Sequence, residues 1–141
     1  MKKIVFVFVL FSSVLAMAQK NIYESIRFDE YTEDHEILAI VPFIAHLELK
    51  KAVDNDELNV LAEKEGYAVQ NALETYFSRR KKRKKFNVDF QNIMNTNAIL
   101  AQNNINYNNI DTYTTQELCK ILDVDGIISG NLNLNILLSE G

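Results

Sequence analysis

The chain is poor in residues that crosslink a polypeptide or break its regular structure. It has 141 residues, with one cysteine, one proline, four glycines and no tryptophan. The single cysteine, Cys119, excludes an internal disulfide. So few glycines and prolines exclude a collagenous or low-complexity chain. Apolar residues make up 48% of the sequence, which is typical of a chain that buries a core. The composition therefore predicts one folded domain held together by packing.

The first 18 residues have the pattern of a bacterial secretory signal peptide. Lys2 and Lys3 precede the apolar run 4–15, and Ala16-Met17-Ala18 fits the small-x-small cleavage rule. The run is shorter than the roughly 20 residues that a membrane span needs, although an uncleaved anchor remains the alternative. No cysteine directly follows it, so a lipid anchor is not predicted. We expect an exported protein of the periplasm or outer envelope.

Cleavage after Ala18 is directly testable. The protein purified from the envelope fraction of its cells should give Gln19 as its first residue on N-terminal sequencing, because the peptidase cuts after the second small residue of the site. A sequence that starts at Met1 would contradict the prediction.

Residues 19–36 form an acidic N-terminal arm, and 37–141 form a single α/β domain. The arm is interpreted as extended or mobile, with Tyr23, Ile26 and Phe28 available to attach it to the surface. Because the sequence stops soon after an apolar strand, we expect the domain to be truncated at its C-terminus or completed by another molecule.

The apolar patterns predict the order β-α-β-α-α-β, a layered sheet of three to four strands with one long helix and two short ones. Strands are predicted over 37–49, 86–90 and 127–138. The long helix is predicted over 54–84, capped by Asp54 with Glu57 in a capping box. Thr96 is expected to cap the first short helix, and Thr114 with Glu117 the second. The nearly continuous apolar run 37–41 predicts a strand covered on both faces.

Three positions are predicted to be structural because of their residue type. Pro42 has no backbone donor for a strand ladder, so it should lie at an edge, a bulge or a strand end. Gly66 lies on the apolar stripe of the long helix, which indicates a close approach of the helix to a sheet. Gly130 interrupts the last apolar strand, which indicates a bulge or a close backbone approach.

Seven basic residues in succession end the long helix: Arg79, Arg80, Lys81, Lys82, Arg83, Lys84 and Lys85. One interpretation is a solvated helix end whose cations oppose the helix dipole. The other is a binding patch for acidic lipid, acidic glycan or an acidic partner, including the arm of a neighbouring copy. Nucleic-acid binding is not predicted, because no aromatic residues are interleaved with the cations. The formal net charge of −4 also gives no global attraction to nucleic acid.

No catalytic or metal-binding constellation is found, so we expect no cofactor and no enzymatic activity. His35 and His46 match no compact metal-ligand spacing. Asp123 and Asp125 precede Gly126, but the downstream glutamate of a calcium loop is absent. Cys119 shares a stripe with apolar residues, which predicts a buried, inert thiol. The alternative left open is a small-molecule or glycan-binding module, or a hydrolase with an unrecognised site.

The order of elements and several short motifs resemble one group of envelope domains. The group comprises the curli-secretion-channel component (CsgG-like), the N-terminal domain of the Tol-associated propeller protein (TolB) and the lipoprotein activators of penicillin-binding proteins. The motifs span most of residues 37–138. They are Ile40-Val41-Pro42-Phe43, the alternating Phe86–Phe90, Ile99-Leu100, and the final helix-strand segment with Glu117-Leu118, Leu122, Val124-Asp125, Ile127-Ile128 and Gly130.

The resemblance implies an envelope protein that acts through contacts with a partner or with its own copies. It singles out Pro42, Phe43 and Asp125 as positions of a structural motif. The sequence lacks the lipid-anchor cysteine of the curli component and of the activators. It also predicts no long amphipathic hairpins, so a secretion pore built from this chain alone is not expected.

Overall fold

The computed structural model describes residues 25–49, 54–83 and 86–136. The predicted signal peptide 1–18, the first part of the predicted arm, Lys84 and Lys85, and the end of the last predicted strand lie outside these residues. Our predictions for them are therefore untested by the structure.

The structure confirms a small α/β fold of helices and parallel strands. The α-helices are α1 (Phe28–Tyr31), α2 (Asn55–Lys82), α3 (Ile93–Gln102) and α4 (Thr115–Leu122). The strands are β1 (Ile37–Ile40), β2 (Ile44–Leu49), β3 (Asp89–Phe90), β4 (Gly126–Ile128) and β5 (Asn131–Ile136). A short 3₁₀ helix covers Ile110–Thr112.

The strands form two parallel sheets in place of the single sheet that was predicted. One sheet has the order β3-β1-β4, and the other pairs β2 with β5. The predicted first strand 37–49 is split into β1 and β2, and the predicted last strand 127–138 is split into β4 and β5. The predicted strand 86–90 is reduced to β3, although Phe86 and Val88 are buried as its pattern required.

The link between β1 and β2 lies beside the link between β4 and β5 and is one residue longer. Ile40 pairs with Ile128 in the first sheet, and Ile44 pairs with Asn131 in the second. Val41, Pro42 and Phe43 on one side therefore lie opposite only Ser129 and Gly130 on the other. An extra residue of this kind is a bulge, which is where proline is tolerated because it has no N–H to donate.

The long helix α2 runs antiparallel to β1. Gln70 bonds to Ile40 near the carboxyl end of β1, whereas Lys81 forms an ion pair with Asp89 at the start of β3. The helix therefore brings its basic end to the amino edge of the three-stranded sheet, away from the edge where β2 and β5 begin.

Strand β1 is buried on both faces, as its continuous apolar run predicted. Leu38 and Ile40 face α2 in a cluster rich in phenylalanine. Ala39 and Val41 face α3 and α4 in a second cluster, with Leu100, Ile105, Ile110, Leu118, Leu122 and Val124. The domain thus has three layers, with β1 in the middle.

The prediction of an extended arm is wrong for residues 25–36. Residues 28–31 form α1, and the Phe28 ring lies 6.0 Å from Phe77 and 5.0 Å from Phe86, measured between ring centroids. Phe28 thus attaches the segment, as expected, whereas Ile26 is 95% exposed and does not. Aromatic packing of this kind outweighs the segment's acidic, polar composition.

The helix caps were only partly predictable. Thr114 and Glu117 form the expected capping box. Asp54 caps α2, but it accepts from the backbone of Asp56, and no reciprocal bond from Glu57 accompanies it. Asn92 caps α3 in place of Thr96, which is fully buried inside that helix.

In the described residues, no helix combines the length and the apolar character that crossing a membrane requires.

Candidate functional site

The break between β1 and β2 and the break between β4 and β5 meet around Phe43, at the carboxyl edge of β1 and β4. The backbone N–H of Phe43 donates to the carbonyl of Gly66 over 3.3 Å, because the bulge turns it away from the neighbouring strand. A Cβ on Gly66 would overlap the carbonyl oxygen of Phe43, and a Cβ on Gly130 would lie 2.7 Å from Cε2 of the Phe43 ring. Pro42, Phe43, Gly66 and Gly130 therefore form one packing site.

Gly130→Val should lower the melting temperature, because the valine side chain and the Phe43 ring require the same space. We expect a loss of about 1–3 kcal/mol, the usual cost of overpacking. Thermal unfolding of Gly130→Val beside the double variant Gly130→Val/Phe43→Leu measures the coupling between the two residues. If the two substitutions are additive, the ring is not the cause.

A closed network of side-chain amides lies beside this packing site. Gln70 is fully buried, and its Nε2 donates to the carbonyl of Ile40 over 2.7 Å and to Oδ1 of Asn97 over 2.9 Å. The Nδ2 of Asn97 donates back to Oε1 of Gln70 over 3.0 Å. Because β3 ends at Phe90, no strand reaches the Ile40 carbonyl, and Gln70 takes that role.

A second polar link ties the short strand β3 to the helices. Gln91 accepts from the hydroxyl of buried Thr96 over 2.7 Å and donates to the carbonyl of Leu122 over 2.9 Å. In both links the polar groups bond to one another and to the backbone. Each of these side chains therefore has a hydrogen-bond partner within the fold.

A cavity of about 180 Å³ opens at the same carboxyl edge, on the face away from α2. Its lining includes Pro42, Ile44, Tyr113, Leu118 and Gly130. Ligands of parallel α/β sheets bind at this edge, in pockets of roughly 300–1,000 Å³. Here the chain continues past this edge as β2 and β5.

Asp125 lies at the opposite, amino edge of the sheet. Its carboxylate accepts the backbone N–H groups of Ile37 over 2.9 Å and of Glu36 over 2.8 Å. These two bonds, helped by the nearby His35, hold the pKa of Asp125 below its usual range. Nδ1 of His35 is buried with no hydrogen-bond partner among the described residues. Asp125 thus fixes the start of β1 and is not part of the Phe43 packing site.

The thiol of Cys119 is half-buried, which corrects the prediction of full burial. It lies beside Lys120, Asp123 and Asp125 in an open surface depression, because its position on α4 falls at the edge of the apolar stripe. Partial burial, and secondarily the charge of Asp125, raise its pKa above the ordinary value. A raised pKa disfavours the thiolate, which is the reactive form of cysteine.

The basic run divides into paired and exposed members. Lys81 forms an ion pair with Asp89, and the guanidinium of Arg80 lies 5.6 Å from the centroid of the Tyr76 ring. Arg79, Lys82 and Arg83 are exposed at the last turn and C-cap of α2. The attachment of Phe28 to Phe77 also brings the acidic segment of the same chain next to this helix end.

Strands β2 and β5 extend the fold beyond the carboxyl edge as a two-stranded ribbon. Its α2-facing side carries Ala45 and Leu47 paired with Leu132 and Leu134. Its other side carries His46 and Glu48 with the exposed Asn131, Asn133 and Asn135. Across the described parts of the chain, no strand lies beyond β5.

Within the described residues, no group of three or more histidine, cysteine, aspartate or glutamate side chains is placed to hold a metal ion.

No protein-family model, curated protein or solved structure gives a significant match to the chain. The resemblance to the envelope domains therefore stays a prediction that rests on the quoted motifs.

The structure brings together four of the five motif residues chosen from the sequence and separates the fifth, Asp125. The amide network around Gln70 was missed. Its signal was present, because a glutamine one helical turn after Gly66 lies on a stripe of otherwise small and apolar residues.

Proposed function

We propose that this chain is an exported bacterial envelope protein that works as a non-catalytic interaction domain. The ribbon formed by β2 and β5 supports the proposal best, because it carries a polar face and an open strand edge away from the core. Strand edges are a recurrent means of recognising another chain. The leader pattern of residues 1–18 supports export.

The polar groups near the carboxyl edge fit the same proposal. Gln70, Asn97 and Gln91 have their hydrogen bonds satisfied within the fold. The cavity at the carboxyl edge, about 180 Å³, is small for a substrate pocket. The buried polar groups thus bond within the fold, whereas one strand edge stays open. This arrangement supports a role in contact with other chains.

Crosslinking in native cells tests the proposal. The full-length chain should be expressed with a purification tag, crosslinked in the intact envelope and purified, and its crosslinked products identified by mass spectrometry. We compare Asn133→Arg, which places a charge on the ribbon, with Asn59→Arg, which places the same charge on an exposed position of α2. The wild type and Asn59→Arg should give the same discrete products, and Asn133→Arg should lose them.

Products that are equal in all three proteins, or no discrete product in any, would contradict an interaction domain that uses this ribbon. Recovery of the chain in the cytoplasmic fraction with its leader intact would contradict export.

The exposed cations at the end of α2 favour a second, weaker contact with an anionic surface. Near an anionic membrane each cation contributes roughly fivefold to the partition coefficient, so two cations contribute roughly 25-fold. The dipole of a helix needs few cations in its last turn, and this helix end carries four, Arg79 to Lys82. We expect the purified protein to associate reversibly with acidic lipid.

Co-sedimentation with anionic and neutral vesicles measures this contact. Arg79→Gln/Lys82→Gln should reduce sedimentation with anionic vesicles, whereas Lys64→Gln/Lys120→Gln, which removes the same charge from exposed positions elsewhere, should not. Salt should weaken the binding, since the Debye length falls from about 10 Å at 0.1 M to about 3 Å at 1 M. Equal sedimentation of both variants would leave a solvated helix end as the explanation.

A further inference from the structure

The outer edge of β5 presents unpaired backbone groups. In the parallel ladder the N–H of Ile44 donates to the carbonyl of Gly130, so even-numbered residues of β5 direct their backbone groups toward β2. The backbone groups of Asn131, Asn133 and Asn135 consequently point outward. No hydrogen bond to these outward groups is found among the residues that the structure describes.

The edge of β2 differs from that of β5. The backbone N–H of Ala45 points away from β5 and donates to the hydroxyl of Tyr107 over 2.8 Å. β2 also carries the charged Glu48, a common protection against pairing with another chain. β5 has neither a charged residue nor a proline in its sequence Asn-Leu-Asn-Leu-Asn-Ile. One edge of the ribbon is therefore protected and the other is open.

The sequence of β5 is also nearly symmetric about Asn133. When two copies of such a strand pair antiparallel, Asn133 lies opposite the same residue of the second copy, and Asn131 lies opposite Asn135. Leu132 then lies opposite Leu134. Every outward backbone group in this register faces another outward group, because the facing residues are all odd-numbered.

We propose that β5 pairs antiparallel with β5 of a second copy, centred on Asn133, to form a four-stranded sheet β2-β5-β5-β2. This inference rests on the proposed interaction function and names its partner. Three facing pairs of asparagines supply about six backbone hydrogen bonds, two for each pair. The half-buried Leu132 and Leu134 gain a facing leucine, and the asparagines form an amide ladder without like charges in contact.

Two double variants test the register, because one should stabilise the dimer and the other should destabilise it. Asn131→Lys/Asn135→Asp keeps the net charge and places a lysine opposite an aspartate twice across the dimer axis. Asn131→Lys/Asn135→Lys places lysine opposite lysine twice. Opposite charges in facing positions stabilise a strand pair and like charges destabilise it. All substituted positions are exposed, so the fold of each protomer should be unchanged, and circular dichroism checks this.

The measurement is sedimentation equilibrium of the purified full chain over a concentration series. The wild type should form a dimer, the first variant should tighten it and the second should weaken it, with dissociation constants roughly tenfold apart. Asn59→Lys, the matched change on α2, should leave the dimer unchanged.

A monomer at every concentration overturns the inference, and so does a dimer whose dissociation constant is equal in both variants. If the chain is monomeric but its crosslinked products in cells still depend on Asn133, the edge binds another envelope protein and the proposed function stands. If those products are also absent, both proposals fail.

Discussion

Gly66→Ala should destabilise the domain by about 2–3 kcal/mol, although alanine is the better helix former. The new Cβ would overlap the backbone carbonyl of Phe43 and lie 2.7 Å from Cε2 of Tyr107. The carbonyl belongs to the bulge, so it has no rotamer by which to move aside. Displacing it would also lengthen the bond from Phe43 to the Gly66 carbonyl.

The measurement is urea unfolding at neutral pH, with Asn59→Ala as the control on the same helix. Asn59 is exposed, so its substitution should raise the free energy of unfolding by about 0.5 kcal/mol through helix propensity alone. The two alanine substitutions in α2 are thus expected to act in opposite directions. A gain in stability for Gly66→Ala would show that the helix does not touch the bulge.

Gln70→Leu should cost about 1–3 kcal/mol, although leucine has a similar size and would add apolar surface to the core. The substitution removes the donor to the Ile40 carbonyl and leaves this buried acceptor without a partner. Asn97 also loses both of its bonds with Gln70. An unsatisfied buried polar group costs more than the net contribution of the bond it had made.

Thermal unfolding measures this loss, and Gln116→Leu is the matched control. Gln116 is exposed on α4, so the same exchange should leave the melting temperature nearly unchanged. Asn97→Ala separates the two contributions, because Gln70 keeps its bond to Ile40 in that variant. Equal melting temperatures for Gln70→Leu and wild type would mean that the Ile40 carbonyl has another donor.

Patterns carried by neighbouring residues predicted the fold well. The burial of β1 followed from the continuous apolar run 37–41, and the start of α4 followed from Thr114 and Glu117. Both depend on residues a few positions apart.

The sequence marked Pro42 and Gly130 as places of a bulge or a close approach, but it did not predict that the strands are divided there. Each pattern taken alone continues through Pro42 or Gly130, and the breaks arise where Phe43, Gly66 and Gly130 meet from three distant parts of the sequence. The same holds for Gln70, whose task depends on β3 ending before it reaches the Ile40 carbonyl. Pairings of this kind are set by tertiary contacts, which a single sequence does not display.

The extra residue between β1 and β2 shifts the alternation of side chains between the two faces of the sheet by one position. In β1 the even-numbered Ile40 faces α2, whereas in β2 the even-numbered Ile44 packs toward α3 and α4. The neighbouring segment from β4 to β5 has no such shift. If residues 37–49 formed one uninterrupted strand, simple alternation would direct His46 and Glu48 at the long helix, whereas the bulge keeps Ala45 and Leu47 there. The bulge in this link therefore decides which face of the ribbon meets water.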